Sequence, residues 1–198
     1  TLLSSIRHRR RIVYFVITSA IVAFGVGAVV PLMNVVLHDG HLHADEAEIG
    51  VLFAVGELGL AVATLFVPLL AARMLKVDAI AMTRLLALPF VLGMALLPLA
   101  LDKGFFLLLL FGTAHMGRVM TFRLSAPLDD AFNMEVLDAR ERATGTGIEI
   151  AFGGAVSAVA ILIGSQLMDS GDYATPFLIL ASCYLVSTLI YWRVFRPV

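Results

Sequence analysis

Four ionisable residues stand inside long apolar runs of this sequence: Glu57, His115, Arg118 and Glu149. An ionisable group at bilayer depth costs about 2.5–3.5 kcal/mol on insertion scales, so it usually faces a cavity or a partner and is a functional candidate. Each type brings its own chemistry. A carboxylate screened from bulk water can take up and release protons. Histidine titrates near neutrality, and arginine stays charged and pairs with a carboxylate or an anionic substrate. His115 and Arg118 are three residues apart, one turn on one helical face. Together the four form a proton-coupling or substrate-binding set. The structural alternative is that Glu57 lies shallow enough to snorkel and that Glu149 sits near the end of its helix.

The carboxylates share faces with small residues. Gly50, Ala54, Glu57, Ala61, Thr64 and Pro68 recur at steps of three or four, as do Gly145, Glu149, Gly153 and Ser157, with Gly164 beyond. Ser19, Ala23, Gly27 and Asn34 make a third such face, with Pro31 as a kink. Helices in lipid pack through small residues, so the glycines alone read as close packing.

A second group of charges is outside the apolar runs. Asp129-Asp130, Glu135 and Asp138-Ala139-Arg140-Glu141-Arg142 form a charged connection that can bridge to Arg73, Lys76 or Arg84. Arg73, Lys76, Asp129, Glu135 and Arg142 are therefore candidates for a gate on one side, with a solvated charge run as the plainer reading. His38, His41 and His43 have no defined fourth ligand, and no metal is expected. Tyr14, Tyr191 and Trp192 read as interfacial anchors. With no phosphate loop, catalytic triad or paired cysteines, no cofactor and no enzymatic activity are expected.

The elements that position these residues follow from composition. Hydrophobic residues make up 60% of the 198 and charged residues 15%, against about 45–50% and 25% in soluble domains. The mean hydropathy is +0.96. The net charge of −1 argues against a nucleic-acid partner, and the single Cys183 excludes an internal disulfide. A helical span needs about 20 apolar residues, and six stretches qualify: Ile12–Leu37, Ile49–Leu75, Ala79–Leu101, Phe105–Leu128, Thr144–Met168 and Tyr173–Val194. The expected fold is an all-α membrane protein, a six-helix bundle forming a single transmembrane domain over residues 1–198. The run after Arg7–Arg11 is too long for a signal peptide and reads as a helix that stays. A chain that begins at Thr1 reads as processed or as part of a longer polypeptide.

Basic residues gather on one side: Arg7, Arg9, Arg10, Arg11, Arg73, Lys76, Arg84, Arg140, Arg142, Arg193 and Arg196, with Arg123 near that side, against Lys103 opposite. This bias places both termini in the cytoplasm. A shift of 95 residues aligns Glu46 with Glu141, Gly50 with Gly145 and Gly59 with Gly154. The implied units are residues 12–101 and 105–194, two three-helix repeats of opposite membrane orientation, an arrangement characteristic of secondary transporters.

Two segments carry a family resemblance. The stretch from Arg123 through Pro127, Asp129, Glu135, Arg140 and Arg142 to Thr144 resembles the loop between helices 10 and 11 of major facilitator superfamily transporters. Gly25 to Leu37, followed by Glu48-Ile49-Gly50, is similar to the start of a six-helix half in that family. The resemblance implies that the six spans correspond to helices 7 to 12, the C-terminal half. The family's helix 2–3 signature is absent: the corresponding turn reads Ala71-Ala72-Arg73-Met74-Leu75-Lys76-Val77-Asp78. A complete transporter has twelve helices and this chain has six. On this resemblance the first and fourth spans line a central cavity, with Asn34, His115 and Arg118 facing it. The second and fifth spans, with Glu57 and Glu149, face the other half. The expected function is secondary active transport of a small-molecule substrate, most simply proton-coupled, in the lipid bilayer of a bacterial inner membrane. A second six-helix half, on the same polypeptide or another chain, is the expected partner. The alternative is a non-transporting structural or assembly subunit that reuses the fold.

Overall fold

In lipid every backbone N–H and C=O must find its partner inside the protein, which an apolar run achieves by closing into a helix. The computed structural model describes residues 9–38, 42–102, 104–136 and 139–196. Among them it is all-helical, and six helices are long and apolar enough to cross a membrane, as expected of an integral membrane protein. Arg7, Asp39, His41, Lys103 and Asp138 lie outside the described residues, as do the side chains of Arg9, Arg140 and Glu141.

Helix α1 (Arg9–Val29) passes through a 3₁₀ turn at Val30–Leu32, where Pro31 removes a donor, and continues as α2 (Met33–His38). Helix α3 (Glu46–Thr64) starts at a capping box. The Asp45 carboxylate accepts from the Glu48 amide at 2.7 Å and the Glu48 carboxylate from the Asp45 amide at 3.0 Å.

The second span, expected unbroken from Ile49 to Leu75, is divided. It stops at Thr64 and resumes as α4 (Val67–Arg73), because Pro68 has no N–H to continue the ladder and is tolerated only in a first turn. Helix α5 (Lys76–Ala100) runs on through Pro89 and Pro98. Helix α6 (Phe105–Arg123) yields to α7 (Ser125–Val136), so the charged connection expected from Asp129 is already helical from Ser125. Helices α8 (Ala139–Asp169) and α9 (Ala174–Phe195) complete the chain.

The six spans pack side by side in the order α8, α1, α9, α5, α6, α3. Exchanging the first three spans for the last three turns this order into its own reverse. Helices α3 and α8 stand at its two ends. In the most apolar stretch of each, 17% of residues are buried, against 44% in α1, α5 and α9.

The central helices are joined by a core of Val29, Met33, Leu37, Val91, Met94, Phe111, Phe177 and Leu180. A separate aromatic cluster of Phe15, Phe132, Tyr191 and Phe195 fastens α1, α7 and α9 at one end. Tyr191 is thus not the interfacial anchor its position predicts: it is 1% exposed among these rings. Trp192, next to it, does face outward; its indole N–H donates to Asp78 at 2.8 Å and its ring lies beneath the Arg196 guanidinium.

Candidate functional site

Neither α1 nor α8 packs closely on α6, and a crevice of about 270 Å³ opens where α1 faces α6 and α7. Its lining is Ser19, Val22, Ala23 and Val26 from α1, Arg84 from α5, and Phe122, Ser125, Ala126 and Asp129 from the α6–α7 corner. The corner exists because α6 gives way to α7 just before Pro127, turning Ser125 and Asp129 inward. Arg84 is buried here and ion-paired with Asp129. Its Nε also donates to the Ser125 hydroxyl at 3.4 Å, and that hydroxyl donates to the Phe122 carbonyl at 2.7 Å. Rings complete the enclosure, with the guanidinium 5.2 Å from the Tyr191 centroid and 5.9 Å from that of Phe122. A charge so enclosed is tolerable only with its carboxylate in place.

Glu149 joins this region from α8. Ser19 donates its hydroxyl to the Glu149 carboxylate across the α1–α8 seam, and Asp129, Asp130 and Arg84 are close enough to act on it electrostatically. Glu149 and the Arg84–Asp129 pair therefore share one electrostatic environment around the crevice.

His115 and Arg118 occupy a second place. Both are buried in α6, 4% and 6% exposed. His115 meets the Phe53 ring edge-on at 5.6 Å between centroids. Arg118 donates from Nη1 to the Tyr184 hydroxyl at 3.4 Å. Tyr184 in turn stacks flat on Phe122, with centroids 4.2 Å apart.

Glu57 occupies a third. It is exposed on α3 and pairs with Arg123 at 3.3 Å, both side chains more than half exposed. The four residues singled out by their depth thus do not face one crevice: Glu149 is tied to it through Ser19, Arg118 is packed behind Tyr184 and Phe122, His115 lies against Phe53 of α3, and Glu57 is on the outer edge. Asn34 is exposed on α2.

The gate candidates divide similarly. Lys76 pairs with Glu135, tying the start of α5 to α7, and Arg84 pairs with Asp129. Arg142 donates to the Met134 carbonyl, joining α8 to α7, while Arg73 is exposed at the end of α4.

Tyr184 and the inward role of Arg84 escape a reading of the sequence. Arg84 counts there as one more flanking base, although it stands inside an apolar run, the same signal that marks Arg118. Tyr184 offers no signal, since tyrosine is at home in any apolar helix. No protein-family model, curated protein or solved structure matches this chain.

Proposed function

We propose that this chain is the six-helix C-terminal half of a secondary active transporter of the major facilitator type, working with a second six-helix half in an inner membrane. The observation that carries the reading is the packing order. A row that reverses when its two halves are exchanged is the arrangement that two inverted three-helix repeats produce. It leaves α3 and α8, the second and fifth spans, with the least burial, as spans that meet another half require.

The crevice between α1 and the α6–α7 corner, in the first and fourth spans, supports a substrate path. Glu149, held by Ser19 beside the Arg84–Asp129 pair, supports proton coupling. The Lys76–Glu135 and Arg84–Asp129 pairs close the α5–α7 seam and would hold this half together as a unit when the halves rock. In this reading both termini are cytoplasmic.

A non-transporting subunit is the second reading, and one observation favours it: Arg118 and His115 are sealed from the crevice in this conformation.

The deciding experiment uses the protein purified from its native membrane with any six-span partner that accompanies it. Reconstituted with a pH-sensitive dye inside the vesicles, a coupled transporter moves protons when its substrate is added and stops when an uncoupler collapses the gradient. Transport that continues unchanged after every ion gradient is collapsed removes the coupled mechanism. The absence of any six-span partner in the native membrane removes the half-transporter itself.

A further inference from the structure

Arg118 is a buried cation without an anion. Among the described residues its guanidinium has no carboxylate within ion-pair distance and its Nε has no hydrogen-bond partner. Besides Asp129 Oδ1 and the Tyr191 hydroxyl near Arg84, two groups on α6 and α9 are unsatisfied in the same way. They are Nδ1 of His115, one turn before Arg118 on α6, and the hydroxyl of Thr188, one turn beyond Tyr184 on α9. An unpaired charge and two orphaned polar atoms buried on α6 and α9 carry a large desolvation penalty. Such a cluster persists where another state of the molecule satisfies it.

A carboxylate from a partner subunit is poorly placed to do so. Arg118 turns toward α9 through Tyr184, whereas the uncovered helices are α3 and α8 at the ends of the row. The crevice offers the shorter approach. Phe122 both lines it and stacks on Tyr184, so one aromatic layer separates the cavity from the Arg118–Tyr184 contact. Val22, Ala23 and Val26 form the α1 wall of the crevice, while beside Phe122 lie Ser125 and Arg84, the latter neutralised by Asp129.

We propose that Arg118, with Tyr184 and His115, is the binding site for an organic monocarboxylate with an apolar body, reached from the crevice when Phe122 swings off Tyr184. One guanidinium matches one carboxylate in a two-point fork. The aromatic and aliphatic walls match the rest of the molecule. The proposal rests on the transporter reading for its biological meaning, because it names the substrate class, but binding is measurable without transport.

The probe is benzoate, titrated against the purified chain in lipid nanodiscs by calorimetry, with benzyl alcohol and benzylamine as the neutral and cationic counterparts. Benzoate binds saturably and its counterparts do not. Arg118→Gln weakens benzoate about 10- to 100-fold, the loss expected for charge-assisted hydrogen bonds. Arg118→Lys keeps part of the affinity, and Phe122→Ala speeds association. Without ligand, Arg118→Gln is at least as stable as the parent, because it removes an uncompensated charge; a merely structural Arg118 would instead destabilise the fold when replaced. Equal binding of benzoate and benzyl alcohol, undiminished binding by Arg118→Gln, or no benzoate binding at all overturns the site. Benzoate binding without benzoate-driven proton movement in the reconstituted assembly leaves the site standing and counts against proton-coupled transport.

Discussion

The two end helices, α3 and α8, are equally bare yet differently attached. Helix α8 meets α1 backbone to backbone. A Cβ added at Gly164 would fall 2.1 Å from the Ala28 carbonyl oxygen, and one at Gly27 would fall 2.7 Å from the Ser157 carbonyl oxygen. Helix α3 meets α6 through flexible methionines: a Cβ at Gly59 would touch the Met116 methyl at 2.6 Å and the Met120 sulfur at 3.1 Å. The ion pairs repeat the contrast. Arg84–Asp129, beside the α1–α8 seam, has side chains 8% and 21% exposed, whereas Arg123–Glu57 at the α3 edge has 56% and 65%. Exposure therefore does not measure attachment. Helices α1 and α8 form one stiff slab, and α3 rides on a soft surface that can repack as it shifts.

The largest expected effect falls on the stiff side. Asp129→Ala leaves the Arg84 guanidinium unpaired, and reversible unfolding in mixed micelles should lose about 3 kcal/mol. Replacing both residues by apolar ones recovers much of it, since no charge is then left unpaired. A single-mutant loss below about 1 kcal/mol would mean that water already solvates the pair. Next comes Gly164→Ala, where the new methyl meets a backbone carbonyl that cannot move without its helix. A loss of about 2 kcal/mol is expected, against less than about 1 kcal/mol for Gly59→Ala, where methionine side chains bend aside. Equal losses at the two glycines would erase the distinction between the helices.

Much of this was legible in the sequence because the bilayer simplifies the code. A run of about 20 apolar residues has one stable backbone solution, so all six spans were found. Pro31 marked a local feature through its own chemistry. The break at Leu65–Phe66 was missed because apolar character continues through it, although Pro68 carried the signal. The polar site was less legible. Depth along a helix is readable from residue number, but the direction in which a side chain points depends on which neighbour its face meets. Glu57 and Glu149 both sit on small-residue faces, yet one points out beside Arg123 and the other in toward Ser19. Tyr191 passed for an anchor because position near a helix end does not reveal the aromatic cluster that encloses it.

Two smaller effects sharpen the comparison. Helix α8 is joined to α9 by a turn in which Asp172 accepts from the Ala174 and Thr175 amides, at 3.2 and 2.9 Å. Hydrogen bonds from the Thr175 hydroxyl and amide hold this carboxyl below its ordinary range. A depressed carboxyl stabilises the fold above its ordinary pKa and loses that contribution as pH falls through the folded value. Asp172→Ala should cost about 1 kcal/mol at neutral pH, with the gap to the parent closing as acid is added below about pH 4. A gap independent of pH would mean that the turn depends on shape and not on charge.

The smallest effect on stability should come from Glu57→Gln, and its smallness is informative. The Arg123–Glu57 pair is open on both sides, so its loss in a micelle should change unfolding by less than about 1 kcal/mol. If α3 faces a second half in the native membrane, the same pair is covered there. The substitution would then weaken co-purification of that half far more than it weakens the chain's own fold. A double-mutant cycle with Arg123→Gln separates the two contributions. A coupling energy that stays small in the assembled protein means that the α3 edge faces lipid or water. One that grows on assembly puts the edge inside an interface, with the soft methionine seam behind it free to adjust.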